Sequence, residues 1–77
     1  MLYYGVMELS IRLRFGWKVK KLRRKRHLTQ EKFAELAEID YKYLQRIEGK
    51  TPPNIRLETI EKLAKTLKIK PSELLKP

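Results

Sequence analysis

Four side chains within six residues, Tyr41, Lys42, Gln45 and Arg46, carry the clearest recognition chemistry in this sequence. On an α-helix, turning ~100° per residue, they share an arc of about 140°, while Leu44 and Ile47 fall on the opposite side. The polar arc offers hydrogen-bond donors and positive charge, and no carboxylate interrupts it. Arg and Lys can donate to guanine O6 and N7, and Gln can pair with adenine. Tyr can bond phosphate or pack on a thymine methyl. An ordinary solvated helix is polar too. It usually mixes signs, as Glu58, Glu61, Lys62 and Lys65 do further along the chain. At this level DNA reading and a solvated face both remain open.

Other constellations are thinner. Glu58 and Glu61 stand three apart, but the neighbouring Lys62 and Lys65 make a solvated face the better reading than an acid/base pair. His27 is the single histidine, and the chain has no cysteine, so a metal site or a nucleophile–base pair lacks its parts. There is no phosphate-binding glycine loop and no Ser/His/Asp set. Neither enzymatic activity, cofactor, metal nor small-molecule ligand is expected. Phe15, Trp17 and Phe33 are assigned to the core rather than to base stacking.

Charge narrows the partner. Nineteen Lys and Arg against nine Asp and Glu give +10 on 77 residues. The run "KVKKLRRKR", residues 18–26, holds seven basic residues in nine. Such a surplus repels itself unless a polyanion offsets it. Nucleic acid is the first candidate and an anionic membrane surface the second. No apolar run approaches the ~20 residues of a bilayer span. The opening "MLYYGVMEL" lacks the basic leader of a signal peptide, so a cytoplasmic protein, nucleoid-associated when bound, is expected.

The elements that must position these residues read as helices throughout. Ile11, Phe15, Val19 and Leu22 form one helical stripe, predicting a first helix over about 12–26. Residues 9–15 also alternate in a strand-like way. Thr29 suits an N-cap for a helix over 30–37, and Asp40 suits one for a helix over 41–48. Gly49 is the expected stop. Pro52 and Pro53 forbid regular structure in the following loop. Leu57, Ile60, Leu63, Ala64 and Leu67 predict a fourth helix, and Pro71 begins a fifth carrying Leu74 and Leu75. The length allows one all-α domain, taken as 15–77, preceded by an N-terminal extension over 1–14, a strand or the start of the first helix.

Residues 15–75 resemble the Cro/C1-type, or XRE, family of helix-turn-helix transcription regulators. "LRRKRHLTQEKFAELAEID" is similar to the family's first two helices, "YKYLQRIEGK" to its recognition helix, and "LETIEKLAKTLKIKPSELL" to helices four and five. The resemblance implies a compact, lambda-repressor-like domain of five helices whose third enters the major groove. It implies Tyr41, Lys42 and Arg46 as base readers with Gln45 beside them, and Gln30 as a clamp on phosphate. Thr29, Tyr43, Lys50 and Asn54 are placed on phosphates with it. Arg23 and Glu48 match a family ion pair that ties helix 1 to helix 3. Glu38 departs from the family, which often has Gly in this turn.

The expected function is sequence-specific binding of double-stranded DNA by a transcription regulator, a repressor, acting as a homodimer on a palindromic operator without membrane contact. The dimer contact is expected around Ile69, Leu74 and Leu75, or through Leu2, Tyr3, Tyr4 and Val6. Two rivals predict different behaviour. An adaptor or antitoxin on the same fold would bind DNA weakly and a protein tightly. A non-specific basic binder of nucleic acid or membrane would depend on helix 1 more than on helix 3.

Overall fold

A computed structural model describes residues 2–76, with the side chains of residues 11–76. Five helices follow in order: α1 (Leu2–Lys25), α2 (Gln30–Ala37), α3 (Tyr41–Ile47), α4 (Leu57–Leu67) and α5 (Pro71–Leu75). No strand occurs among the described residues. The first helix is therefore longer than its apolar stripe predicts. Residues 2–14 continue it N-terminally, and the strand-like alternation of residues 9–15 has no counterpart in the backbone. Within the stripe, Phe15 and Val19 are buried, Leu22 is half-buried and Ile11 is exposed, so the core reaches back only to Phe15.

The core gathers Phe15 and Val19 of α1, Phe33, Ala34 and Ala37 of α2, Leu44 and Ile47 of α3, Leu63, Ala64 and Leu67 of α4, and Leu74 of α5. One helix face supplies each group, at the three- and four-residue spacings of an apolar stripe. The α2 helix packs against both α3 and α4, and α4 against α5. The long α1 lies across α4 and α5. Against α3 it makes a narrower approach at Gly16. A Cβ added there would overlap the carbonyl oxygen of Ile47 and stand 3.1 Å from its carbonyl carbon. Only glycine lets α1 come this close to the end of α3.

Three helices end by one device. The amides of Leu28, Ile39 and Ile69 donate back to the carbonyls of Arg23, Ala34 and Ala64, at 3.0–3.2 Å. Each preceding residue turns left-handed: His27 at φ 58°, Glu38 at φ 57° and Lys68 at φ 59°. This is the Schellman turn, in which the apolar residue after the left-handed one folds onto the helix. Leu28, Ile39 and Ile69 all pack against the core. The expected stop at Gly49 works differently. The α3 helix ends at Ile47, Glu48 takes φ −86° and ψ 0°, and the Gly49 amide closes a tight turn onto the Arg46 carbonyl at 3.1 Å. No glycine among the described residues has positive φ.

Trp17 corrects the sequence reading. It is 74% exposed, not in the core. Its position lies about 160° from Val19 on the helix, so it points away from the bundle.

Candidate nucleic-acid interface

The α2 and α3 helices are joined by three residues, Glu38 to Asp40, and both N-termini are capped by side chains. The Thr29 hydroxyl accepts from the Lys32 amide at 3.1 Å. The Asp40 carboxylate accepts from the Lys42 amide at 2.8 Å. A left-handed Glu38 makes the sharp corner between the two helices. The family's frequent glycine is absent, yet the chain adopts the conformation that glycine would take, at a local cost of roughly 1–2 kcal/mol.

That corner sets the roll of α3. Leu44 and Ile47 are fully buried, while Tyr41, Lys42, Gln45 and Arg46 face solvent together. None of these four side chains hydrogen-bonds to another described residue. Their donors are free for an external partner. Tyr43 is half-buried and packs against the core, which leaves its ring less available than the other four. Lys50 and Asn54 are exposed in the loop between α3 and α4, where Pro52 is buried and anchors the chain.

Behind this face lies a polar cluster. The Arg23 Nε donates to Glu48 Oε2 and its Nη2 to Glu48 Oε1, each at 2.9 Å. The side chains retain only 8% and 1% of their exposure. A third Arg23 donor, Nη1, reaches the Leu28 carbonyl at 2.7 Å, locking the α1–α2 turn. Gln30 Nε2 donates to Glu48 Oε1 at 2.9 Å. The fork-to-carboxylate geometry is the strong, bidentate kind. No buried side-chain polar atom among the described residues lacks a partner.

Two features of these residues were only partly visible in the sequence. Gln30, expected on phosphate, has one amide hydrogen bound inside the protein and keeps the rest of its carboxamide for another partner. The N-terminus of α3, a natural anion site, is closed by Asp40. Of the two N-termini, that of α2 keeps its Thr29 hydroxyl proton and the free side of Gln30. The α3 end presents a carboxylate instead. An Asp before a helix signals the cap in sequence, but not that the cap shares its edge with the recognition face.

The dimer residues expected at the C-terminal end also divide. Leu74 is buried in the core and Ile69 packs against it, whereas Leu75 is 56% exposed; Leu57, at the start of α4 and outside that expectation, is 78% exposed. Leu2, Tyr3, Tyr4 and Val6 have side chains outside the described residues. No group of three His, Cys, Asp or Glu among the described residues could hold a metal ion. No described helix is long and apolar enough to cross a membrane.

Comparison with known proteins places this geometry. Residues 18–77 match the model of the Cro/C1-type helix-turn-helix DNA-binding domain. The chain is 40% identical over 70 residues to the control protein C.BamHI of Bacillus amyloliquefaciens, covering 90% of this chain and 85% of that one. It is 46% identical over 67 residues to the control protein C.MunI of a Mycoplasma species, covering 84% and 88%. The crystal structure of the restriction-modification controller protein C.AhdI from Aeromonas hydrophila superposes with a TM-score of 0.76 at 37% identity, covering 80% of this chain and 92% of that one. A hypothetical transcription factor from Neisseria, NHTF, gives a TM-score of 0.81 at 30% identity over 87% and 74%.

Proposed function

The chain belongs to the Cro/C1-type helix-turn-helix DNA-binding family, and on that premise we propose that it is a homodimeric regulator reading a palindromic operator with α3. One observation carries the reading. Tyr41, Lys42, Gln45 and Arg46 are exposed together and have no partner among the described residues, on a helix whose other face is buried. A two-stranded DNA groove supplies the acceptors that this face lacks. Thr29, Gln30, Lys50 and Asn54 grip the phosphates on either side, with Tyr43 a lesser contact. Exposed Leu57 and Leu75 supply apolar surface for a second copy, which would place two α3 helices on half-sites about 34–36 Å apart.

The similarity to control proteins, one of them a restriction-modification controller, supports a regulatory target of the same kind: the genes of a restriction-modification set. The output is repression when the operator overlaps a promoter. The protein acts inside the cell that holds this DNA.

Selection of bound sequences from a random duplex pool, at a stated salt concentration, tests the reading. A motif with two-fold symmetry is the expected product. On that motif Lys42→Ala and Arg46→Ala lose about 1–3 kcal/mol, with little loss on a scrambled duplex. Lys50→Ala weakens both duplexes alike and shallows the salt dependence by about one unit. Equal losses for the Arg46 and Lys42 variants on both duplexes would reduce α3 to an electrostatic contact. A monomer on the selected duplex, by light scattering, rejects the dimer.

A further inference from the structure

The outward side of α1 carries an aromatic ridge in a basic field, and DNA reading by α3 makes no use of it. Trp17 and Leu13 are 74% and 45% exposed. On the helix, Leu13, Trp17, Lys20, Lys21 and Arg24 share an arc of about 100°, opposite the buried Phe15 and Val19. Gly16 and Arg23, which meet α3 and its cap, lie about a quarter-turn away from the ridge.

Two depressions adjoin the indole and share Trp17 and Lys21 in their linings. One, of about 350 Å³, is lined by Leu13, Arg14, Trp17, Lys18, Lys21 and Lys76. The other, of about 510 Å³, is lined by Trp17, Lys20, Lys21 and Arg24. Lys18 is held by the Lys76 carbonyl at 3.1 Å, which fixes one wall of the first. Arg14, Lys20, Lys21 and Arg24 form no ion pair among the described residues. Residues 9–30 contain no Asp or Glu, so no carboxylate within that sequence run offsets them.

The occupant must be anionic and must also bring something apolar. A second copy of this face would set its cations against each other. A duplex matches the charge but shows phosphates and groove edges, with its base faces stacked away from an indole. Among the described residues the face offers two apolar side chains, far less than the apolar face an interfacial helix sinks into a bilayer. An acidic protein segment with one bulky apolar side chain satisfies both requirements. Trp anchors within a charged rim are the usual form of a small binding hot spot, and the rim sets the choice of partner.

We propose that the Leu13–Trp17 face of α1 docks an acidic protein segment, seating an aromatic or aliphatic side chain beside the indole while flanking carboxylates meet Arg14, Lys21 and Arg24. The face lies apart from α3, so the protein can hold its partner and DNA at once.

Trp17 is the one tryptophan of the chain, so its emission reports on the site directly. The probe is a fluorescein-labelled peptide of about twelve residues, alternating Asp and Glu with one Phe and one Leu, titrated by anisotropy at about 0.15 M salt. The full chain should bind it with a blue shift of the tryptophan emission. Trp17→Ser, the double variant Lys21→Glu with Arg24→Glu, and a peptide with Ser for Phe and Leu should each weaken binding by about tenfold or more. Trp17→Ser should keep its melting temperature and its affinity for random duplex, which separates lost docking from lost folding. The proposal is overturned if the peptide does not bind, if the Ser peptide binds as well, or if Trp17→Ser binds unchanged. It is also overturned if phosphatidylglycerol vesicles shift the emission where the peptide does not, which would make the face a lipid contact.

Discussion

Replacing Glu48 by alanine removes a carboxylate that accepts three hydrogen bonds, from Arg23 Nε, Arg23 Nη2 and Gln30 Nε2, each at 2.9 Å. What remains is a guanidinium at 8% exposure holding a single bond, to the Leu28 carbonyl. Stranding one partner of a buried pair costs about 3–5 kcal/mol. Arg23 sits at the margin of the core, where water can reach part of it, so the lower end, about 3 kcal/mol, applies. A chain of 77 residues has roughly 4–12 kcal/mol of total stability. The variant therefore folds, with its melting temperature lowered by about 12–24 °C. Arg23→Met should be at least as damaging, because it leaves the nearly inaccessible carboxylate with Gln30 alone. The double variant Arg23→Met with Glu48→Leu should recover much of the loss, since no charge is then buried. Thermal and urea unfolding, followed by circular dichroism, supply the four corners of the cycle. Salt provides the control: Glu48→Ala also raises the net charge, and screening would erase a repulsive effect but not the stranding of a buried group. A loss under about 1 kcal/mol, or one that vanishes in high salt, would refute the reasoning and reclassify the contact as an exposed pair.

Three further outcomes follow from the same geometry. Gly16→Ala should lower the unfolding free energy by about 1–3 kcal/mol, because the new Cβ overlaps the Ile47 carbonyl. Helix propensity alone predicts a gain of about 1 kcal/mol, so the sign of the denaturation shift decides between them. Glu38→Gly should raise stability by about 0.5–1 kcal/mol through release of the left-handed strain at φ 57°; an unchanged or lower melting temperature counts against that strain. Asp40→Asn keeps a good N-cap while removing the carboxylate beside the reading face. Its melting temperature should stay level and its affinity for random duplex should rise, and an unchanged affinity would place Asp40 away from the phosphates.

The parts of the fold that local patterns decide were legible in the sequence. Thr29 and Asp40 announce the starts of α2 and α3 because a capping oxygen acts within three residues of itself. Leu44 and Ile47 orient α3 because the helical period alone separates them from Arg46 and Lys42. The endings were harder. His27, Glu38 and Lys68 are ordinary polar residues, and each turns left-handed because the Leu or Ile after it gains core contact by doing so. That signal is a polar residue followed by a branched apolar one, not a glycine; Gly49 marks the end of α3 without a left-handed turn. Trp17 and Gly16 mark the limit from opposite sides. A tryptophan is usually core, and a glycine within a helical pattern is usually a weakness. Which face of α1 meets the bundle is decided by α3, α4 and α5 arriving from elsewhere in the chain.

The same dependence on distant partners joins stability to the proposed reading of DNA. Glu48 is the cap residue of α3, Arg23 belongs to α1, and Gln30 opens α2, so one carboxylate gathers three helices at the edge of the recognition face. If Gln30 takes a phosphate with its free side, the Glu48 bond holds its carboxamide in place beforehand. Less side-chain entropy is then lost on binding. Removing the carboxylate would in that case weaken every duplex alike, because the contact it prepares touches no base. The loss of fold and the loss of grip would share a cause, and Gln30→Ala, which cuts the second and spares the ion pair, would tell them apart.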